Sequence, residues 1–172
     1  MLRIIPIKDA KEMLVHGRTT DCREPLTLFW SASSIEMNLK ASELWVEFET
    51  DFSVHAQWVS VMLNGAHIGR FLLPKGRVWM PILHGLNPEK VNHVEILRDV
   101  QAMPTDPDNR LQIHAVKTDG ELLPVEKKSM KLEIIGDSIT SAEGSIGAKE
   151  DPTGSRLCSV LQEGMRIRWA KP

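Results

Sequence analysis

From the N-terminus to about residue 125, apolar and polar positions alternate with a period of two, and turn signals recur roughly every ten residues. That pattern predicts strands and not helices. In Glu43-Leu44-Trp45-Val46-Glu47-Phe48-Glu49, the side chains of Leu44, Val46 and Phe48 share one face, while Trp45, Glu47 and Glu49 take the other, as a half-buried strand requires. Residues 58–63 alternate in the same way and run into Asn64-Gly65, the pair best suited to the positive φ values of a type I′ turn, before the apolar stretch 67–73. A β-hairpin follows from that order. Further strands are predicted at 78–83, 91–97 and 111–116, separated by Asn87-Pro88 and by Thr105-Asp106-Pro107-Asp108-Asn109, and closed by Asp119-Gly120. No amphipathic helix interrupts them. Such a series of short strands with Pro-containing connections predicts a mainly β chain, an antiparallel, jelly-roll-like β-sandwich over residues 1–125, with Val46, Phe48, Val59, Val61, Ile96 and Ile113 facing its interior.

The character changes after Pro124. Glu126-Lys127-Lys128-Ser129 is a polar linker, and Lys131-Leu132-Glu133-Ile134-Ile135-Gly136 is an apolar strand that stops at a glycine, with Asp137-Ser138 directly after it. This arrangement predicts Ser138 on a strand-to-helix turn, where unpaired backbone N–H groups can stabilise developing negative charge. Residues 126–151 then read as a linker and the first strand and turn of a second, α/β unit. The 42 residues from Lys131 to Pro172 leave room for at most one βα unit, whereas a doubly wound domain takes on the order of 100 residues. Residues 152–172 read as an atypical tail, with Arg156, Arg166, Arg168 and Lys171 set against Glu163.

Charge and composition narrow the classes of function. The chain has 172 residues, 42% of them hydrophobic, and a formal net charge of -2, which carries no electrostatic footprint for nucleic acid or an anionic membrane. Apolar runs fall far short of the roughly 20 residues of a transmembrane helix, and Pro6 interrupts the N-terminus before a signal-type apolar region could form, so a cytoplasmic location is expected. Cys22 and Cys158 are too far apart for metal-ligand spacing and too few for a disulfide framework, which predicts reduced thiols. Gly144-Ser145-Ile146-Gly147-Ala148-Lys149 lacks the spacing of a phosphate-binding loop, so no nucleotide cofactor is implied. His55 and His67 could meet across a sheet but have no carboxylate at ligand spacing, and no metal site is predicted.

Gly136-Asp137-Ser138 after an apolar strand resembles the nucleophile block of the SGNH (GDSL-type) hydrolases, and the longer Ile135-Gly136-Asp137-Ser138-Ile139-Thr140-Ser141 is a close match. A sandwich, a polar linker and then this serine block is similar to the domain order of carbohydrate esterase family 2, the acetyl xylan esterase-like deacetylases, in which an N-terminal jelly roll precedes a catalytic α/β domain. Leu28-Phe29-Trp30-Ser31 and Val59-Ser60-Val61-Met62-Leu63-Asn64-Gly65 sit where family members carry similar segments, and the resemblance continues to about Asp151. It implies an acetylated carbohydrate as substrate, Ser138 as the acyl-accepting nucleophile within the Gly136-Asp137-Ser138 motif, and the Ser138 backbone N–H as one oxyanion donor. The family's other oxyanion donors, a glycine and an asparagine, and its Asp-x-x-His base are not found: all six histidines precede Ser138 and no aspartate has a histidine three positions on. The expectation is a truncated carbohydrate esterase, inactive as this chain. The alternative is a non-catalytic sandwich that binds carbohydrate or another protein, in which Ser138 is an ordinary helix N-cap.

Two surface features complete the expectations. The five tryptophans, Trp30, Trp45, Trp58, Trp79 and Trp169, are read mainly as core fillers, because tryptophan is highly buried on average. Trp45 is the exception, a candidate for stacking on sugar, because alternation puts it beside Glu47 and Glu49. Leu132, Ile134 and Ile135 form an apolar strand with no sheet of its own to join, which predicts pairing either with an edge of the sandwich or, the favoured outcome, with the same segment of a second chain, a homo-oligomer through residues 131–135.

Overall fold

The computed structural model describes residues 1–101, 104–127 and 129. Among them are eleven strands and no helix: β1 (Arg3–Pro6), β2 (Leu14–His16), β3 (Leu26–Leu28), β4 (Ser34–Lys40), β5 (Leu44–Asp51), β6 (Gln57–Leu63), β7 (Ala66–Leu73), β8 (Gly76–Leu83), β9 (Asn92–Arg98), β10 (Arg110–Thr118) and β11 (Glu121–Leu123). They form two sheets. Sheet A has the order β1-β10-β5-β8 with β3 also on β10, and sheet B has the order β11-β4-β9-β6-β7 with β2 also on β4. Every pairing is antiparallel, and most neighbours in a sheet are distant in sequence, as a jelly-roll-like sandwich demands.

The alternation that predicts the strands also builds the core. Leu44, Val46 and Phe48 of β5, with Leu111, Ile113 and Val116 of β10, face Ile35, Met37 and Leu39 of β4, Val59 and Val61 of β6, and Val94 and Ile96 of β9, and each of these is fully buried. All six predicted interior residues are in this set. At the β6–β7 hairpin, Asn64 and Gly65 have φ of 52° and 83°, the left-handed pair that the Asn-Gly reading requires. The Asn64 side chain also accepts the His93 N–H at 2.9 Å and donates to Asn92 at 3.0 Å, which fastens the hairpin to β9.

Strands β1 to β4 and β11 fall outside the predicted set. Most have only three or four residues, too few for alternation to stand out, while β4 carries the pattern in full, with Ile35, Met37 and Leu39 inward and Glu36 and Asn38 outward. The core-filling reading fails for Trp30, Trp58 and Trp79, while Trp45, the exception in that reading, is outward as expected. Trp30 is 53% exposed, and Trp45, Trp58 and Trp79 are only partly buried, because the interior is filled by aliphatic residues and Phe48. Cys22 is an exposed free thiol. Gly136, Asp137 and Ser138, the strand at 131–135, Cys158 and Trp169 lie outside the described residues.

The ends of the sandwich are closed by carboxylates that accept backbone N–H groups. Buried Asp106 takes those of Ser53 at 2.7 Å, Val54 at 3.1 Å and His55 at 2.8 Å; burial opposes its charge, yet these bonds hold its pKa down at about 2. Beyond β11 the chain stays on sheet B, where the Asn38 side chain donates to the Pro124 carbonyl at 2.9 Å and Val125 N–H to the Glu12 carbonyl at 3.3 Å.

Candidate functional site

With Val46 and Phe48 turned inward, β5 presents Trp45, Glu47 and Glu49 on the outer face of sheet A. Register brings partners from both sides: Pro81 and Lys117 oppose Trp45, Trp79 opposes Glu47, and Arg77 and Gln112 oppose Glu49. The Lys117 ammonium sits 4.6 Å from the centre of the Trp45 ring and 4.7 Å from that of Trp79, so it lies against two indole faces. Trp45 is itself fixed, since Nε1 donates to Glu43 at 2.9 Å and the His84 ring meets it edge-on at 86°, with ring centres 5.4 Å apart. Beside this pair, Arg77 grips Glu47 with two parallel bonds of 2.9 Å.

A register shift between Ile113 and Ala115 accommodates His114, whose Nε2 lies 2.8 Å from Glu49 Oε2. Glu47, Arg77 and His114 then line a shallow cleft of about 380 Å3 whose other wall includes Pro6, Arg23 and Pro25. The aromatic pair and the cleft share Glu47 and Arg77. The result is one continuous surface, aromatic at one end and hydrogen-bonding at the other. This chemistry suits a polyhydroxylated ligand with flat apolar ring faces.

The outer face of sheet B is different in kind. Ser34, Glu36, Ser60, Met62, Glu95, Leu97 and Asp99 are all buried there. Arg70 Nε donates to Asp99 Oδ2 at 2.6 Å, the Arg70 guanidinium carbon lies 5.2 Å from the Trp58 ring centre, and Ser60 donates to the same carboxylate oxygen at 2.9 Å. Ser34 donates to Glu95 at 2.8 Å. Glu36 is held by His16 and, at 2.6 Å, by His93; the bond to His16 outweighs burial, His93 adds to it, and the carboxyl is pulled down to about 2.

These contacts place every histidine of the chain. His16 and His93 are on Glu36, His114 on Glu49, and His84 lies 3.3 Å from Glu43 beside Trp45, while His55 is buried and His67 is exposed on β7. His55 precedes the Gln57 end of the β6–β7 hairpin and His67 lies opposite Met62 near its turn, so the sheet does not bring the two together. Among the described residues, no group of three or more His, Cys, Asp or Glu side chains is arranged to hold a metal ion. Of the residues singled out from sequence, Trp45 is on the outer face of sheet A as alternation requires. Trp79 and Lys117 join it without any local signal, because they come from strands far apart in the chain.

Fold and surface together define an antiparallel, jelly-roll-like sandwich with an aromatic outer face. No protein-family model matches the chain, and no curated protein does. Solved structures do. An acetyl xylan esterase from the rumen bacterium Butyrivibrio proteoclasticus is 35% identical, with a TM-score of 0.84 over 91% of this chain and 43% of that one. A family two carbohydrate esterase from Clostridium thermocellum, solved in complex with cellohexaose, is 24% identical with a TM-score of 0.70, over 84% of this chain and 44% of the other. The enzyme of that family from Cellvibrio japonicus has 21% identity and a TM-score of 0.75, over 92% and 46%. The chain is therefore similar to an acetyl xylan esterase and shares its sandwich fold with family two carbohydrate esterases. It spans less than half the length of these solved relatives.

Proposed function

We propose that the chain is the N-terminal part of an esterase that removes acetyl groups from carbohydrate through Ser138. The observation that carries this reading is the 35% identity over 91% of the chain to an acetyl xylan esterase, supported by the Gly136-Asp137-Ser138 block that follows the sandwich in sequence. In the complete reaction the Ser138 hydroxyl attacks the acetyl carbonyl and gives its proton to a base. The negative charge that develops on the carbonyl oxygen is met by the Ser138 backbone N–H; collapse of this intermediate breaks the bond to the sugar oxygen, which leaves as a hydroxyl with the proton the base had taken, and water then adds to acetyl-Ser138, releasing acetate and restoring the Ser138 hydroxyl.

A serine hydroxyl is a weak nucleophile without such a base. The base that the family resemblance implies, a histidine three positions after an aspartate, does not occur in this sequence. The isolated chain is therefore expected to hydrolyse an activated acetyl ester no faster than its Ser138→Ala variant. Joining residues 1–151 to the part of the Butyrivibrio enzyme that continues beyond the matched region is expected to restore acetate release, and Ser138→Ala in that fusion to abolish it. A folded fusion whose activity ignores Ser138 would sink the proposal. A fast, Ser138-dependent rate from the chain alone would refute only its inactivity.

A further inference from the structure

We propose that the outer face of sheet A is a binding site for acidic carbohydrate, an oligosaccharide bearing a carboxylate, with Trp45 and Trp79 stacking on sugar rings and Lys117 taking the acid group. The proposal shares the carbohydrate with the function above but not the serine, and either can fail alone.

The shape of the site comes from three strands. Trp45 on β5, Trp79 on β8 and Lys117 on β10 point to one side of the sheet, and their separation is set by strand spacing and not by a loop. Glu43 and His84 hold the Trp45 ring, so little side-chain freedom remains to be lost on binding. The C–H faces of a pyranose ring are apolar, and an indole face covers them while leaving the hydroxyls at the rim. Glu47 lies opposite Trp79 and holds Arg77, and Glu49, His114 and Gln112 continue along the same outer face, where they can receive those hydroxyls.

The charge pattern selects the kind of sugar. The carboxylates of this face already have cations or donors: Glu47 has Arg77, Glu49 has His114, and Glu43 has Trp45 with His84. Lys117 has no carboxylate at ion-pair distance among the described residues, and its ammonium rests on the two rings instead. A neutral sugar entering between the rings would displace that ammonium and give it nothing in return. An acidic sugar offers the ammonium a carboxylate as its ring packs on the indoles, which turns a competing group into a charge-assisted partner.

The test is titration of the intact chain, followed by tryptophan fluorescence and by calorimetry, with xylohexaose and with the same backbone carrying one uronic acid. The acidic sugar is expected to bind about ten-fold tighter or better, the size of one charge-assisted bond, and to lose that margin at high salt. Lys117→Met is expected to equalise the two sugars and Lys117→Arg to keep the margin. Trp45→Ala with Trp79→Ala is expected to remove both affinities, and unchanged thermal unfolding certifies that these variants fold. Ser138→Ala is expected to bind as the parent does. Equal affinity of the parent for both sugars, binding of neither, or acidic binding that survives loss of Lys117 or of the tryptophans would each overturn the proposal.

Discussion

The two outer faces of the sandwich obey one alternation rule and come out opposite. On sheet A the outward residues Trp45, Glu47, Glu49, Trp79 and Lys117 remain partly exposed, and their ion pairs meet solvent. On sheet B the outward residues Ser34, Ser60, Glu95 and Asp99 are at most 1% exposed. Charge is cheap on the first and expensive on the second. Exposed pairs contribute about 0–1 kcal/mol each, while breaking a buried pair by removing one partner costs about 3–5 kcal/mol. Sheet A can therefore vary its charged groups to suit a ligand, whereas sheet B is committed to the network it has.

Variants can break that contrast. The largest effect is expected for Arg70→Ala, which leaves Asp99 buried with, among the described residues, the Ser60 hydroxyl as its remaining side-chain partner, and a loss of about 3–5 kcal/mol should appear in denaturant unfolding. A loss below about 1 kcal/mol would mean that sheet B is wetter than its burial implies. Next comes acid. The Glu36 pKa of about 2 lies below its ordinary 4.5, so its bonds to His16 and His93 stabilise the fold above pH 4.5 and are lost as pH falls toward 2. Glu36→Gln should flatten that part of the pH–stability curve by about 2 kcal/mol, allowing for partial solvent screening. The smallest effect is expected for Arg77→Ala on sheet A, which should unfold in the same assay close to the parent despite its two-pronged bond to Glu47, because that pair is screened by solvent. A cost comparable with that of Arg70→Ala would erase the distinction between the faces.

Much of this was legible before any coordinates. Period-two alternation identifies the interior set Val46, Phe48, Val59, Val61, Ile96 and Ile113, because successive side chains of a strand must point to opposite sides. It also sends Trp45 outward with Glu47 and Glu49, and Asn64-Gly65 marks its hairpin because few residue pairs accept two positive φ values. Ser138 and its motif are legible as a family block alone, from the order of residues around it. What the tertiary structure decided is everything that joins distant segments. Lys117 reaches Trp45 and Trp79 only because β10, β5 and β8 are neighbours in one sheet, and strand order follows from how all the apolar faces close on one another, not from any local stretch. Burial of the outward side of sheet B is decided in the same way. Alternation tells a residue which side it faces, but only packing tells it whether that side meets water.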